Sequence, residues 1–177
     1  MIAIIILDRF EITAPKSGRL NLFQCINFAI RYSYLILINL PFLGKPQRHT
    51  MEFLTDAYRQ IYHKKFPLGR RIFYYLFGRK LIHIYYYNDV PVGFALFRTG
   101  PPGNIHLSSM GILEGCRGKG LSKPFLEESL TYWKKEGFRS TTLYVDNTNY
   151  IALKTYNSLG YLSKKNIINK IFMLKSL

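Results

Sequence analysis

The chain has 177 residues, 48% of them hydrophobic, and carries 25 Lys and Arg against 10 Asp and Glu, a net charge of +15. That length predicts a single domain over residues 1–177 with a core of its own, and the apolar content excludes a disordered chain. The charge favours anionic partners (a nucleotide cofactor, an anionic substrate, nucleic acid or a membrane surface), whereas two cysteines, Cys25 and Cys116, and four scattered histidines exclude a disulfide framework and a metal site and suggest a reducing, cytoplasmic compartment.

Met1 to Leu7 reads as a strand. Asp8, Arg9 and Glu11 follow at once without a small-residue cleavage site, which argues against a secretory signal. Asn21 to Leu40 is apolar without a clear period. Within Ile26 to Leu43, Arg31, Asn39 and Pro41 interrupt the run, and Tyr32 to Leu40 is too short to span a bilayer. A buried helix or strand fits this stretch, with in-plane membrane contact as the alternative. Thr50 is placed to cap a helix whose apolar face is Met51, Leu54, Ala57, Tyr58, Ile61 and Tyr62, ending at Pro67-Leu68-Gly69. Ile72 to Phe77 reads as a further short helix.

The second half is better punctuated. Leu81 to Tyr87 and Pro91 to Arg98 read as a hairpin about Asn88-Asp89, and Ile105 to Ile112 follows as a strand after a Gly/Pro loop. Leu121 to Glu136 has a helical apolar face (Leu121, Phe125, Leu126, Leu130, Trp133) closed by Gly137. Thr141 to Val145 is a strand, Asn149 to Leu159 a helix closed by Gly160, and two terminal strands near Tyr161 to Lys165 and Lys170 to Lys175 pair through Asn166 to Asn169. An antiparallel meander followed by strand, glycine loop, helix, strand and helix predicts an α/β chain with a mixed sheet and helices on its faces.

Two segments carry chemistry. Arg117-Gly118-Lys119-Gly120-Leu121-Ser122 lies between a strand and a helix start. The first amides of a helix have no internal acceptors, and with the helix dipole they make an anion site. Glycines let the backbone approach phosphate oxygens, and Arg117 and Lys119 add charge. Such a turn is also compatible with a purely structural role, and it is neither a Walker loop nor a dinucleotide fingerprint. Further on, Asn149, Ala152 and Tyr156 share a helix face, with Gly160-Tyr161 closing the segment. A lone helical tyrosine is compatible with packing alone. Its position after the loop by one helix, one strand and part of another helix sets a phenol across from a pyrophosphate cradle, where it is suited to protonate a leaving thiolate.

From about Tyr85 to Tyr161 the chain resembles the GCN5-related N-acetyltransferases (GNAT). The family's cofactor motif, Arg/Gln-x-x-Gly-x-Gly/Ala, is met by Arg117 to Ser122. Its later signature, Asn-x-x-Ala-x-x-x-Tyr-x-x-x-Gly-Phe/Tyr, is met at Asn149, Ala152, Tyr156, Gly160 and Tyr161. Ser122 stands where the family has Gly or Ala, and Glu114 where it often has proline. The resemblance implies a mostly antiparallel twisted sheet with a V-shaped splay between the fourth strand, Ile105 to Ile112, and the fifth, Thr141 to Val145, counting Met1 to Leu7 in the sheet. It implies acetyl-CoA as cofactor, with the pyrophosphate on the amides of Arg117, Gly118, Lys119, Gly120, Leu121 and Ser122. Met110, Ile112 and Asn149 would meet the cofactor arm, with the Ile112 amide polarising the thioester carbonyl and Tyr156 as general acid. Residues 81–177 would form the cofactor-binding core and residues 1–80 the acceptor side.

The base that takes the amine's proton stays open between His106 and Glu114. Asp146 and Asn147 are candidates for substrate contact or for capping the turn before Asn149. Three functions are weighed. The first is acetyl transfer to a primary amine of a small, anionic molecule such as an amino sugar or its nucleotide-linked form. The second is transfer to a macromolecular amine, of a protein or an aminoacyl-tRNA. For it, Arg59, Lys64, Lys65, Arg70, Arg71, Arg79 and Lys80, interleaved with aromatics, offer a nucleic-acid surface. The third is a non-catalytic acyl-CoA-binding or membrane-associated module.

Overall fold

The computed structural model describes Gly44 and residues 46–177. The strand expected at Met1–Leu7, the apolar stretch Asn21–Leu40, the membrane contact expected of Ile26–Leu43, and Cys25 lie outside the described residues.

Helix α1 spans Arg48–Tyr62 and buries Leu54, Ala57 and Tyr58 along one face. It starts earlier than its Thr50 cap predicted. Gln47 occupies the cap position, without a side-chain bond, and accepts the Thr50 N–H at 3.0 Å. The helix stops where His63 turns left-handed at φ 53°. Pro67, expected to end this helix, instead precedes the next one, α2, Leu68–Leu81. Its fixed φ suits a helix start, where a missing N–H costs nothing. The short helix expected at Ile72–Phe77 is therefore 14 residues long and buries Tyr74, Phe77 and Leu81.

Strands β1, Ile82–Tyr87, and β2, Val90–Thr99, form the expected hairpin. Asn88 and Asp89 both take positive φ, 51° and 60°, the primed turn that matches strand twist. There follow β3 (Asn104–Ile112), a short 3-10 turn (Glu114–Cys116), α3 (Ser122–Lys135), β4 (Ser140–Asp146), α4 (Tyr150–Ser158), and the hairpin of β5 (Leu162–Ile167) and β6 (Lys170–Ser176). Gly137 and Gly160, at φ 87° and 82°, close α3 and α4 as the sequence indicated.

Among the described residues, six strands lie in the order β1-β2-β3-β4-β6-β5. Of these six, only β3 and β4 pair in parallel, so the sheet is mixed and mostly antiparallel. Alternation along the strands sends neighbouring side chains to opposite faces. Phe94 of β2 meets Tyr58 and Tyr62 of α1, whereas Phe97 and His83 meet Trp133 of α3, and Tyr85 stacks on Phe125 of α3 at 4.8 Å. Phe94, Phe97 and Trp133 are fully buried. Each such phenylalanine contributes about 2–3 kcal/mol by leaving water.

One irregularity in this sheet positions the site. Phe97 of β2 pairs with Leu107, but the next position, Leu96, pairs with Ser109. Ser108 is therefore an extra residue, a β-bulge, and a bulge bends its strand. On its other side β3 pairs with β4 only from Asn104–Ser140 to Leu107–Leu143. Beyond the bulge the two strands part, and β3 changes from buried (Asn104 to Leu107) to half-buried (Ser108 to Gly111). This is the splay expected between the strands at Ile105–Ile112 and Thr141–Val145.

Candidate active site

The direction of the backbone groups in the gap follows from the ladder. Leu113 N–H donates to Val92 O at 2.8 Å, opposite its partner by continuation of the Gly93–Ile112 register. In an antiparallel ladder, hydrogen bonding alternates. Gly111 and Leu113 therefore face β2, and the N–H and C=O groups of Met110 and Ile112 face away from it, into the gap. Both carbonyls are already engaged. Met110 O accepts the Tyr62 hydroxyl at 2.9 Å, and Ile112 O accepts Arg117 Nε at 3.0 Å. The gap thus presents two backbone donors, at Met110 and Ile112, with both acceptors filled.

Past Ile112 the 3-10 turn leads to the glycine segment. The Arg117 N–H is bonded to Glu114 O at 3.1 Å. Arg117 is thus a clamp between loop and strand as well as a charge. Gly118 and Gly120 take φ 76° and 72°, where a side chain is strained, and nothing lies within 4 Å of where a Cβ would stand on either. Among the described residues, the amides of Gly118, Gly120 and Leu121 find no acceptor. Lys119 is exposed beside them, and Ser122 opens α3 with Leu121 at its cap position. Open amides, open space and a helix N-terminus together form a cradle of the kind a pyrophosphate fits.

Asn149 caps α4, its Oδ1 accepting the Ala152 N–H at 3.1 Å, which leaves its amide NH2 for other partners. Two turns on from Asn149, the Tyr156 ring lies edge-on to Tyr161 at 5.7 Å. Burial pushes the Tyr156 phenol well above the ordinary tyrosine range, and the nearby phenols of Tyr62 and Tyr161 push it the same way. Tyr161 itself is buried and shares a hydrogen bond with Thr141.

Tyr62 brings a second phenol to the same place from α1. Burial pushes it up and Tyr58 adds to this, while Ser109 and Arg70 pull the other way. Arg70 Nη1 donates to Ser109 Oγ at 3.1 Å and Tyr58 Oη at 3.3 Å. Tyr58, Tyr62, Arg70 and Ser109 thus form a polar cluster on the α1–α2 side of the gap. Sequence reading assigned none of them to the site. In the sequence Tyr58 and Tyr62 belong to an apolar helix face and Arg70 to a basic stretch. The contacts that assemble them span 39 and 48 residues, beyond the reach of any local pattern.

The remaining candidates lie elsewhere. His106 is buried on the paired half of β3, with Nδ1 bonded to Thr142 Oγ1 at 3.0 Å and its ring against Tyr144. Asp146 accepts both Thr148 N–H and Thr148 Oγ1–H, so it caps the turn before α4. Those bonds, most of all the one from the hydroxyl, hold its carboxyl below the usual range. Glu114 is exposed in the 3-10 turn. The basic stretch divides. Arg59 pairs with Asp56, Lys80 pairs with Glu136, and Arg70 turns inward. Its interleaved aromatics Phe66, Tyr74 and Phe77 are core, leaving Tyr75 exposed. Among the described residues no group of His, Cys, Asp and Glu forms a metal site, and no helix is long and apolar enough to cross a membrane.

An open mixed sheet, parted between its two parallel strands and followed by a glycine loop and a tyrosine-bearing helix, is the fold of the N-acetyltransferases. Solved structures agree. The chain superposes on Arabidopsis thaliana Naa50 in complex with a bisubstrate analogue at TM-score 0.63, 20% identity, over 76% of this chain and 97% of that one. It superposes on the PaiA N-acetyltransferase of Thermoplasma acidophilum in complex with coenzyme A at TM-score 0.59, 16% identity, over 76% and 98%. The chain belongs to the acetyltransferase (GNAT) family, whose model matches residues 49–161. Among curated proteins it is similar to mycothiol acetyltransferases of Frankia casuarinae, 34% identical over 66 residues (37% of this chain, 19% of that protein), and of Renibacterium salmoninarum, 40% identical over 52 residues (29% and 15%). The chain thus spans less than a fifth of the length of these curated relatives.

Proposed function

We propose that this chain is an N-acetyltransferase. It moves an acetyl group from acetyl-CoA to a primary amine of a small anionic molecule, a class that includes amino sugars and their nucleotide-linked forms. The observation that carries this reading is the gap itself. Two backbone donors with no competing acceptor stand between an anion cradle and a phenol that keeps its proton. Acetyl-CoA supplies an activated acyl group and a leaving thiolate when bound. On this reading the amides of Gly118, Gly120 and Leu121, with Lys119 and Ser122, hold the pyrophosphate, and Arg117 braces that loop against β3. The N–H groups of Met110 and Ile112 face the cofactor arm, with the Ile112 amide donating to the acyl oxygen where negative charge develops. Asn149 offers its free NH2 to the same arm.

Tyr156 is the general acid for the departing thiolate, and the proton the amine loses on forming the amide restores its phenol. Burial keeps that phenol protonated, and the same dry environment disfavours a bare thiolate, which favours proton transfer to sulfur. Tyr156→Phe is expected to lower kcat by about a hundredfold or more while leaving coenzyme A affinity within about twofold. Equal turnover in variant and wild type would remove the assignment. The acceptor class is tested by incubating the protein with acetyl-CoA and a panel of amines and following free thiol. Release with peptides or aminoacyl-tRNA, but with no small amine, would reverse the choice of acceptor. The small-molecule reading is supported by the curated relatives and by a basic stretch whose aromatics are mostly core.

A further inference from the structure

We propose that Arg70 is the anchor for a carboxylate on the acceptor, so that the acceptor is an amino acid-like molecule held by its acid end with its amine reaching into the gap. This rests on the gap being the place where amine and acyl donor meet.

The argument starts from an unbalanced charge. Arg70 sits in the first turn of α2 and is only partly exposed. Its two partners, Ser109 Oγ and Tyr58 Oη, are neutral and both use Nη1. Its Nε is buried and has no partner. The ion pairs among the described residues are Arg48–Glu52, Arg59–Asp56 and Lys80–Glu136, and none involves Arg70. A guanidinium drawn in among aromatic side chains without a countercharge is costly, and removing that cost needs an anion. The edge of Arg70 without a hydrogen bond is Nε–Nη2, two parallel N–H groups that match the two oxygens of a carboxylate.

The position is equally particular. Ser109 follows the bulge residue Ser108 and precedes Met110, whose carbonyl is held by Tyr62. Arg70 therefore touches β3 where it leaves β4, on the side away from the glycine loop. From Ser109 to Ile112 is three residues, roughly 10 Å along a strand. A molecule with its carboxylate on Arg70 thus needs a spacer of several atoms before its amine arrives opposite the Ile112 amide.

The test uses the full chain saturated with coenzyme A and titrated calorimetrically with paired amines differing only at one end: β-alanine, γ-aminobutyrate and 6-aminohexanoate against their carboxamides, and phosphoethanolamine against ethanolamine. For at least one spacer the carboxylate should bind at least about tenfold more tightly than its carboxamide, the scale of a charge-assisted fork. Arg70→Gln should bring that ratio to about one and Arg70→Lys should restore part of it, with coenzyme A affinity unchanged in both. Equal binding of every carboxylate pair by the wild type, or no binding of either member, overturns the anchor. Selectivity confined to the phosphate pair overturns the carboxylate assignment. The same mixtures with acetyl-CoA separate this idea from the one beneath it. A tenfold ratio without thiol release sinks the transferase reading and leaves the anchor standing, whereas thiol release with a ratio of one sinks the anchor alone.

Discussion

On the side of the gap that leads to the glycine loop, the groups facing outward are backbone: the amides of Met110, Ile112, Gly118, Gly120 and Leu121, aimed by a bulge and by two positive-φ glycines. On the α1–α2 side they are side chains, Tyr58, Tyr62 and Arg70, with Ser109 facing them from β3. Backbone amides recognise what every acyl donor of a class shares, because they cannot be changed without changing the fold. Side chains are free to vary, and on the proposed reading these would set specificity for an acceptor. The two walls should therefore fail differently when disturbed.

The largest expected effect is on the donor wall and comes from pH. His83 supports α3 from beneath, with Nδ1 2.8 Å from Ser129 Oγ and its ring stacked on Trp133. Burial pushes its imidazole down to about 4. In the unfolded chain it titrates near 6.5. Between those values the unfolded state takes up a proton that the folded state refuses, so stability falls as pH drops from about 6.5 and the loss is complete below about 4. The span is worth about 3 kcal/mol. Urea unfolding at pH 7.5 and pH 4.5 should show that loss in the wild type and much less of it in His83→Gln, and an equal loss in both would place the acid sensitivity elsewhere.

Next comes a change confined to the loop. Gly118→Val places a β-branched residue at φ 76°, at a cost of about 1–2 kcal/mol. It also puts methyl groups where the cradle is open. The KM for acetyl-CoA should rise at least about tenfold, with the KM for the amine within about twofold. A rise in both would mean that the two walls are not separable. The smallest effect is expected on the acceptor wall. Tyr62→Phe removes the donor to Met110 O, which should cost about 1–2 kcal/mol, or roughly 3–6 °C in Tm. It should lower kcat/KM for the amine while leaving the KM for acetyl-CoA unchanged.

The same contrast explains what could be read in advance. The donor wall depends on local rules: glycines where φ is positive, Asn149 as a cap, Asn88-Asp89 as a primed turn, and a strand that stops at a loop. All of these are written in consecutive residues, and the elements from Ile82 onward came out within a residue or two of expectation. The splay itself came only from the family resemblance, since nothing around Ser108 announces a bulge. In the acceptor half the punctuation misled. Pro67 was read as a stop and is a start, because proline is as compatible with the residue before a helix as with the one after it. The true stop, His63, is a non-glycine in the left-handed region, which sequence does not advertise. Tyr62 and Arg70 were invisible as site residues because tertiary packing alone brings them to β3.

The bulge at Ser108 has a further consequence. Where β3 and β4 part, each strand keeps an unpaired edge, and these two edges lie inside the sheet rather than at its rim. The outer strand β5 bears Lys164 and Lys165, exposed, the kind of charge that discourages another chain from adding on. The inner edges, Met110 to Ile112 and Tyr144 to Asp146, carry a single charged residue between them. The free N–H groups of Met110 and Ile112, whose own carbonyls are engaged, are where an extended segment of a second copy would bond. Handling this protein in solution should accordingly be a matter of keeping that slot filled: coenzyme A in the buffer should suppress self-association at high concentration more than its contribution to Tm alone would account for.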